Sequence, residues 1–290
     1  MSNFIKLVLF EMRPQQWTKN ILIYSALLFS GNLFKAHKFI SVSLVFVAFC
    51  LTSSGIYFIN DIFDIDKDKA DPKKSNRPVA SGKIKLRSGS FIAIILMISG
   101  LILSLAVDFK CALIILSYVL INLLYTIKLK HVVIMDVMII AYGFVARAVT
   151  GAFAADVRMT AWFLLCVMFI SLFLALGKRR NELIEVHAGV IQKGRSVLKY
   201  YTTEFIDQLM TIVTASMIMC YALFTMDAGT ENNLAMSFTI PLVLYGLFYY
   251  LYVVRVKNGG GSPDEALYKE KPILFTVGLY VIFVMVIRNF

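Results

Sequence analysis

The chain has 290 residues, of which 59% are hydrophobic and only 16% are charged, and its mean hydropathy is +0.76. This composition excludes an ordinary water-soluble globular domain. The formal net charge is +11. Because no nucleic-acid recognition motif accompanies that charge, it indicates a membrane surface and anionic substrates rather than nucleic acid. We therefore expect an all-α integral membrane protein.

Apolar stretches long enough to cross a hydrocarbon core of about 30 Å recur along the whole chain. In chain order they lie at approximately 20–34, 39–59, 90–107, 111–127, 132–152, 160–177, 207–226, 235–254 and 272–288. The first is short, and we expect its helix to begin nearer Trp17. The sequence thus predicts a single transmembrane domain over residues 1–290, with nine helices.

Basic residues are distributed very unevenly if the chain crosses the membrane nine times. Of the 29 Lys and Arg residues, 23 fall on the side of the N-terminus, five fall on the other side, and Arg147 lies within a span. Cytoplasmic segments next to membrane spans are enriched in Lys and Arg. The sequence therefore predicts a protein of the inner (plasma) membrane with a cytoplasmic N-terminus and an external C-terminus.

Two long cytoplasmic loops are expected at about 60–89 and 178–206, and they hold most of the charged side chains suited to chemistry. The loops expected on the external side are short. A short loop can hardly house an active site, so we expect the active site on the cytoplasmic side.

The first loop begins with four aspartates within eight residues, directly after an apolar span. Asp61, Asp64 and Asp68 are spaced i, i+3 and i+7, so on a helix they share one face within roughly 60°. Asp66 points to the opposite face. The spacing predicts that Asp66 stands apart from the other three carboxylates.

Carboxylates clustered at a membrane boundary repel one another, and a bound cation offsets that cost. Oxygen ligands suit Mg²⁺, which keeps several waters and bridges to substrate phosphates; Mn²⁺ is the alternative. The candidate ligands are Asn60, Asp61, Asp64 and Asp68. A solvated helix end is the other interpretation of this cluster. Arg77, a short distance downstream, favours a polyphosphate substrate.

Asp136 and Arg147 are ionisable residues inside a predicted span, where a charge is costly and usually faces an interior cavity. Eleven residues apart, they share a helix face but are separated by roughly 16 Å along it, too far to pair directly. Each therefore needs another partner. Asp136 lies near the cytoplasmic end, within reach of substrate hydroxyls or Lys130. For Arg147, substrate binding and a buried polar network are both open.

The run from Asn60 to Asp68 resembles the NDxxDxxxD first motif of the UbiA superfamily of intramembrane prenyltransferases. The segments Asn76-Arg77-Pro78 and Ser81-Gly82 match that superfamily as well. The resemblance spans essentially the whole chain. It implies nine transmembrane helices around a central cavity open to the cytoplasmic side, and the use of Mg²⁺ with a diphosphate.

Three further segments resemble the decaprenyl-phosphate phosphoribosyltransferase branch of the superfamily. They are Arg13-Pro14-Gln15-Gln16-Trp17-Thr18-Lys19-Asn20, the basic segment Lys178-Arg179-Arg180-Asn181-Glu182, and the run from Tyr125 to Lys130 with Asp136 and the residues after it. In aromatic prenyltransferases a second Asp-rich motif would stand where the basic segment lies. A basic segment suits the 5-phosphate of phosphoribosyl pyrophosphate better than a second metal.

The resemblance implies Mg²⁺-dependent transfer of a 5-phosphoribosyl group from phosphoribosyl pyrophosphate to a polyprenyl (decaprenyl) phosphate, releasing pyrophosphate, for synthesis of a cell-envelope arabinose precursor. Together with the residue spacing, it gives Asp61, Asp64 and Lys178 as catalytic residues. The substrate-binding candidates are Lys19, Asn60, Arg77, Tyr125, Lys128, Lys130, Asp136, Arg147, Arg179 and Glu182. The metal-ligand candidates are Asn60, Asp61, Asp64 and Asp68.

Two other functions stay open. A UbiA-type aromatic prenyltransferase would join an isoprenyl diphosphate to a ring acceptor, and the basic segment at 178–182 argues against it. A membrane transporter would need polar residues at mid-membrane in several helices, whereas the acidic cluster lies at one interface. The sequence carries no phosphoribosyltransferase loop of the soluble type, so the donor rests on the resemblance alone. Homo-oligomerisation is compatible with the sequence.

Overall fold

The protein is all-helical in the parts of the chain that the computed structural model describes, residues 2–71, 74–189, 195–227, 233–257 and 269–289. The α-helices are α1 (Ser2–Glu11), α2 (Ser25–Phe29), α3 (Ala36–Phe63), α4 (Ile65–Ala70), α5 (Leu86–Val107), α6 (Phe109–Ile127), α7 (Met135–Ala155), α8 (Ala161–His187), α9 (Thr203–Asp227), α10 (Asn233–Ser237), α11 (Ile240–Arg255) and α12 (Lys271–Asn289). The 3-10 helices of these described ranges lie at Pro14–Tyr24, Leu129–His131 and Ser196–Tyr200.

Within these described ranges, eight helical segments are long and apolar enough to cross a membrane, and each coincides with one of the last eight predicted spans. The segment predicted at 20–34 differs. It lies partly in the 3-10 helix Pro14–Tyr24 and the short α2. At about 2.0 Å and 1.5 Å per residue, these two elements together rise about 30 Å. A ninth crossing therefore stays a prediction.

The second of the two predicted loops begins later than expected. We expected the loop to start at 178, but α8 continues without a break to His187. Polar residues end a membrane span without ending a helix, and an ion pair at i, i+3 between Arg179 and Glu182 supports the extra turns. Residues 72–73 and 190–194 of the two predicted loops lie outside the described residues.

The chain divides into two compact units. The amino-terminal unit comprises Met1–Leu27, Phe34–Leu129 and Ala146–Val157; the carboxy-terminal unit comprises Leu28–Leu33, Lys130–Val145 and Arg158–Phe290. Helix α7 contributes its first half to the carboxy-terminal unit and its second half to the amino-terminal unit. The single domain over 1–290 and its central cavity stay predictions.

In the amino-terminal unit, α3 and α5 pack closely because glycines face the partner backbone. A Cβ on Gly55 would lie 2.8 Å from the Ala93 carbonyl oxygen, and one on Gly100 would lie 2.7 Å from that of Ala48. Small residues allow this approach in membrane proteins, where helix association relies on van der Waals packing. The packing fixes the carboxy-terminal end of α3, which carries the aspartate cluster.

In the carboxy-terminal unit, α8, α9 and α11 are held together by an arginine-aspartate network. Arg180 donates from Nε to Asp207 at 2.9 Å and from Nη1 to the Val254 carbonyl at 2.7 Å. Arg255 lies 3.3 Å from the same aspartate. These contacts give Arg180 a structural role in joining the three helices.

Candidate functional site

The aspartate cluster lies where α3 ends and α4 begins. Asn60 and Asp61 belong to the last turn of α3, Asp64 is the junction residue, and Asp68 lies in α4. Backbone hydrogen bonds from Asp64 to the Asn60 carbonyl (2.9 Å) and from Asp68 to the Asp64 carbonyl (2.8 Å) keep the i to i−4 pattern across the junction. The predicted helical spacing is therefore retained although the helix is interrupted.

The four aspartates differ in exposure, and Asp66 stands apart as the spacing predicted. Asp61 and Asp68 are buried, with 2% and 4% of their surface exposed, and Asp64 is half-buried. Asp66 is exposed. A burial pattern that alternates with helical position shows that one face of this segment is directed into the protein and the other away from it.

Two arginines neutralise the buried carboxylates. Arg77 donates from Nη1 to Asp61 at 3.1 Å and to Asp68 at 2.6 Å. Arg13 donates to both carboxylate oxygens of Asp61. Lys74 adds a longer contact to Asp68, at 3.9 Å. Burial raises the pKa of Asp68, while the neighbouring Arg77 acts in the opposite direction.

Arg13 was not predicted as a site residue, although it begins one of the segments that resemble the family. Its backbone is left-handed, with φ 53° and ψ 62°, and it precedes Pro14, a position that normally favours extended backbone. Such conformations cost of order 1–3 kcal/mol and cluster at functional sites. The left-handed turn at Arg13 separates α1 from the 3-10 helix, and its guanidinium lies against Asp61.

Glu11 was also missed, and it lies against the same aspartate. It is 1% exposed, and one carboxylate oxygen accepts from the Val79 backbone amide at 3.3 Å. Burial, followed by the hydrogen bond and charge of Asp61, raises the pKa of Glu11 to about 8. Glu11 therefore ties the segment after Arg77 to α1. An acidic residue at the end of an apolar run was the available signal.

Asn60 contacts a residue that was not singled out, Thr126 near the end of α6. The Thr126 hydroxyl donates to the Asn60 side-chain oxygen and also to the Asn122 carbonyl at 2.8 Å. The amide oxygen proposed as a metal ligand is thus oriented by α6. Tyr125, which precedes Thr126 in α6 and was predicted to contact substrate, is half-buried.

The chemistry of these donors fits a hard divalent cation. Carboxylate and amide oxygens are the ligands that Mg²⁺ prefers. Among the described residues, however, no three His, Cys, Asp or Glu side chains form a group able to enclose a metal by themselves. Water and substrate phosphate oxygens would have to supply the remaining ligands, which is the usual way in which Mg²⁺ is held.

The carboxy-terminal unit brings three predicted site residues into a second cluster. Arg179 donates from Nε to Asp136 at 2.7 Å and from Nη1 to Glu182 at 2.7 Å. Neither Arg179 nor Asp136 has any exposed surface. Glu182 also lies 3.4 Å from Arg195. Asp136 therefore has the partner other than Arg147 that the sequence required, and this partner is Arg179 on α8.

Tyr201 completes this cluster and was not predicted. Its hydroxyl donates to Asp136 at 2.8 Å and accepts from the Ile134 backbone amide at 2.8 Å. Ile134 has a φ of 68°, which is strained for a β-branched residue. Burial, together with the Asp136 carboxylate, raises the pKa of Tyr201 to about 12. Tyr201 therefore holds the start of α7 in place, and no sequence pattern indicated it.

Arg147 lies in a buried polar network of the amino-terminal unit. It donates from Nε to Asn20 at 2.7 Å and from Nη2 to Tyr118 at 3.1 Å. Asn20 in turn donates to the Cys50 sulfur at 3.2 Å, and the guanidinium lies 5.4 Å from the centre of the Phe49 ring. The prediction that Arg147 needs a partner other than Asp136 is confirmed, and these contacts favour the buried-network interpretation.

The remaining predicted site residues are basic, and they fall in both units. Lys19 (half-buried) and Lys128 (exposed) belong to the amino-terminal unit, and Lys130 and Lys178 (both half-buried) belong to the carboxy-terminal unit. The structure therefore brings the acidic residues of the first motif together with Arg77, and separately brings Asp136 together with Arg179 and Glu182. The roles of these lysines stay predictions.

Comparisons with known proteins agree with the motifs. The family model described as the UbiA prenyltransferase family matches residues 21–268. The chain is 32% identical to the decaprenyl-phosphate phosphoribosyltransferase of Mycolicibacterium smegmatis, over 97% of this chain and 94% of that protein. It is also 32% identical to the protein of the same name from Corynebacterium glutamicum, over 95% of this chain and 84% of that protein.

The fold has solved relatives as well. A UbiA homolog from Archaeoglobus fulgidus, solved with GPP and Mg²⁺, superimposes with a TM-score of 0.74 at 18% identity, covering 98% of this chain and 100% of that one. At this identity the likeness establishes the fold. Since the family model covers most of the sequence and relatives align along nearly their whole length, the chain belongs to the UbiA prenyltransferase family.

Proposed function

We propose that this membrane transferase moves a 5-phosphoribosyl group from phosphoribosyl pyrophosphate to a polyprenyl phosphate such as decaprenyl phosphate, releasing pyrophosphate. The observation that carries the proposal is the likeness to two decaprenyl-phosphate phosphoribosyltransferases, which extends over at least 95% of this chain at 32% identity. The charge pattern supports it, since one acidic motif is accompanied by many cations and the second motif position is basic.

The reaction breaks the bond between the anomeric carbon of ribose and the pyrophosphate oxygen, and forms a bond from that carbon to an oxygen of the lipid phosphate. The acceptor phosphate is already ionised, so it needs little general-base assistance. A single in-line displacement inverts the anomeric centre, so an α-linked donor gives a β-linked product. The pair of electrons from the broken bond leaves on pyrophosphate.

The side chains of the first motif and its neighbouring cations are placed to stabilise the negative charge that develops on the leaving pyrophosphate. In our proposal Asn60, Asp61, Asp64 and Asp68 hold Mg²⁺. A bound Mg²⁺, with Mn²⁺ as the alternative, would supply positive charge for the leaving pyrophosphate. Arg77 contacts Asp61 and Asp68 through one nitrogen, at 3.1 Å and 2.6 Å. In our proposal its other guanidinium donors bind phosphate oxygens of the leaving pyrophosphate.

Arg179 receives a different role from the one that the sequence suggested. Because it has no exposed surface and pairs with both Asp136 and Glu182, we assign it to positioning α8 rather than to direct contact with a phosphate. Lys178, half-buried one residue earlier, keeps the predicted role of binding the 5-phosphate. Lys19, Lys128 and Lys130 keep their predicted roles as phosphate-binding cations.

The cellular setting is proposed from the same arguments. The distribution of Lys and Arg supports an inner-membrane protein with a cytoplasmic N-terminus and active site. A role in synthesis of a cell-envelope arabinose precursor follows from the proposed product. Homo-oligomerisation stays a prediction that the sequence left open.

The test is an assay of the purified full-length protein in detergent with Mg²⁺, decaprenyl phosphate and radiolabelled phosphoribosyl pyrophosphate, following label into the organic phase. We expect lipid labelling that EDTA abolishes and added Mg²⁺ restores. Labelling that persists in EDTA would remove the metal from the proposal. Incorporation of a labelled isoprenyl diphosphate into an aromatic acid, without phosphoribosyl transfer, would overturn the assignment.

Matched variants make the assay specific to the site. Asp61→Ala and Asp64→Ala should each lower turnover at least 100-fold, the range expected for groups that act on the transition state. Asp66→Ala, an exposed carboxylate in the same segment, should stay within about threefold of wild type by the same reasoning. Equal losses in all three variants would contradict the separation of the two faces.

A further inference from the structure

An open groove lies beside the first cytoplasmic segment, and none of the carboxylates described above lines it. Its volume is about 690 Å³, and it is lined by Ile65, Val79, Gly82, Ile84, Lys85, Leu86, Arg87 and Ser88. All of these residues belong to the amino-terminal unit. No acidic side chain lines the groove, so its charged groups are cations only.

The cations at the rim are exposed. Lys85 and Arg87 are both exposed, and so is the neighbouring Lys83. In the part of the chain that the structure describes, none of these three residues has an ion pair or a hydrogen bond from its side chain. Three unneutralised cations within five residues form a local positive field that attracts an anion.

The backbone adds to this field. Helix α5 begins at Leu86, its N-cap residue Lys85 makes no side-chain capping hydrogen bond, and its first turn contains no acidic residue. The free amide groups of a helix N-terminus carry partial positive charge and favour an anion. Ser88, half-buried in that first turn, adds a hydroxyl that can donate to a phosphate oxygen.

The floor and the exit of the groove are apolar. Ile84 and Val79 are buried beneath it, whereas Leu86 is 47% exposed. Along α5, exposed Phe91, Ile94 and Ile98 continue from Arg87. At 100° per residue these positions lie within roughly 40° of Arg87, so one apolar stripe runs down the helix from that cation.

The length of the stripe matches one leaflet of a bilayer. From Arg87 to Ile98 a helix rises roughly 16 Å, and half of a hydrocarbon core of about 30 Å is about 15 Å. Because α5 is a membrane span that begins at Leu86, its first turn lies at the boundary between headgroups and hydrocarbon. A phosphate at the rim would therefore place an acyl chain along the stripe.

We propose that this groove binds an anionic glycerophospholipid, with its phosphate at Lys85 and Arg87 and an acyl chain along the exposed face of α5. With the orientation proposed above, the lipid comes from the inner leaflet. The site is separate from the phosphoribosyl transfer reaction, and it binds lipid whether or not that reaction is the correct one. Lipid at this position would stabilise the segment between Arg77 and the start of α5.

The experiment uses the full-length protein in a neutral detergent, titrated with palmitoyl-oleoyl phosphatidylglycerol and, separately, with the phosphatidylcholine of the same chains. Bound lipid is counted by native mass spectrometry. Each cation near a phosphate contributes about fivefold in affinity, so we expect Lys85→Ala/Arg87→Ala to bind phosphatidylglycerol about 25-fold more weakly than wild type. Phosphatidylcholine, whose choline cation offsets the charge of its phosphate, should bind more weakly and respond less to the substitutions.

The control removes the same charge elsewhere. Lys6→Ala/Lys199→Ala replaces two exposed cations outside the groove and should keep the wild-type affinity. Ser88→Trp keeps both cations but fills the groove, and it should lose the lipid as well. Circular dichroism and gel filtration verify that each variant is folded.

Three outcomes would overturn the proposal. In the first, the Lys85→Ala/Arg87→Ala variant retains phosphatidylglycerol as well as wild type does. In the second, phosphatidylcholine and phosphatidylglycerol bind equally well. In the third, a lower concentration of decaprenyl phosphate displaces phosphatidylglycerol stoichiometrically. The last result would assign the groove to the polyprenyl lipid instead of a bilayer phospholipid.

Discussion

Arg179 and Asp136 form an ion pair in which the Nε and Oδ2 atoms are 2.7 Å apart and neither side chain has any exposed surface. The two residues are 43 positions apart in the sequence and join α7 to α8. A buried pair is strongly destabilising to break, because the remaining charge is left unpaired in a medium of low dielectric. Replacing both partners costs much less stability than removing one, because formation of the pair required both charges to lose their hydration.

Arg179→Met should therefore lower the free energy of unfolding by about 3 kcal/mol or more, since Asp136 would be left charged and buried. Thermal unfolding of the detergent-solubilised protein measures this. Arg179→Met/Asp136→Leu should recover most of the loss, because replacing both partners removes the unpaired charge.

The same pair of variants separates stability from catalysis. If Arg179 only positions α8, the double variant should regain turnover together with stability. Recovered stability without recovered turnover would instead return Arg179 or Asp136 to direct contact with the substrate, as the sequence suggested.

Arg13 is expected to support catalysis through Asp61. Arg13→Ala removes a guanidinium that contacts both oxygens of that carboxylate, so the acidic site gains net negative charge. We expect turnover to fall about 100-fold, with the apparent affinity for pyrophosphate-containing substrate reduced. Steady-state kinetics at saturating Mg²⁺ measures both effects.

Arg13→Lys is the informative control for this prediction. It keeps the charge but loses the two-pronged contact that only a guanidinium makes. It should restore part of the turnover, by about tenfold relative to Arg13→Ala. If Arg13→Ala had the kinetics of wild type, Arg77 alone would be sufficient to neutralise the Asp61 carboxylate.

Glu11 should make stability depend on pH between about 4.5 and 8. Its pKa is raised from 4.5 to about 8, chiefly by burial and then by Asp61. The native state therefore holds a proton that the unfolded chain has released over this interval. The resulting stabilisation is fully present below pH 4.5 and is lost as pH rises through about 8.

Thermal unfolding of wild type and Glu11→Gln at pH 5 and pH 8 measures this contribution. Gln keeps the size of the side chain and an oxygen that can accept from Val79, but it does not titrate. Relative to wild type, Glu11→Gln should have a higher melting temperature at pH 8 than it has at pH 5. The same difference at both pH values would show that Glu11 does not change protonation there.

Arg147 is expected to act on stability rather than on turnover. Arg147→Met leaves Asn20 without its guanidinium donor and Tyr118 without a hydrogen-bond partner inside the unit. Buried polar groups left unsatisfied cost about 1–3 kcal/mol each. The melting temperature should fall clearly while the KM for phosphoribosyl pyrophosphate stays within about twofold of wild type.

A KM raised tenfold or more in Arg147→Met, with an unchanged melting temperature, would contradict the network interpretation. It would place Arg147 among the substrate-binding residues, the alternative that the sequence left open. Asn20→Ala is the matched variant, because it removes the same hydrogen bond from the other side.

Local patterns in the sequence predicted much of the site. The apolar lengths identified eight spans, because a segment that crosses hydrocarbon must satisfy its backbone hydrogen bonds within its own helix. The spacing of Asp61, Asp64 and Asp68 predicted that Asp66 would stand apart from them, because helical periodicity relates neighbouring residues directly. Interruption of the helix at Asp64 did not change this, since the i to i−4 hydrogen bonds continue through it.

The sequence by itself determined that the chain is a membrane protein, its family and its acidic motif, because these depend on composition and on spacings within one helix. Only the tertiary structure decided that Arg13 lies against Asp61, 48 positions away, and that Tyr201 bonds Asp136 across 65 positions. Such contacts depend on which faces of different helices meet. Helical periodicity identifies a face, but the packing of the folded chain selects its partner.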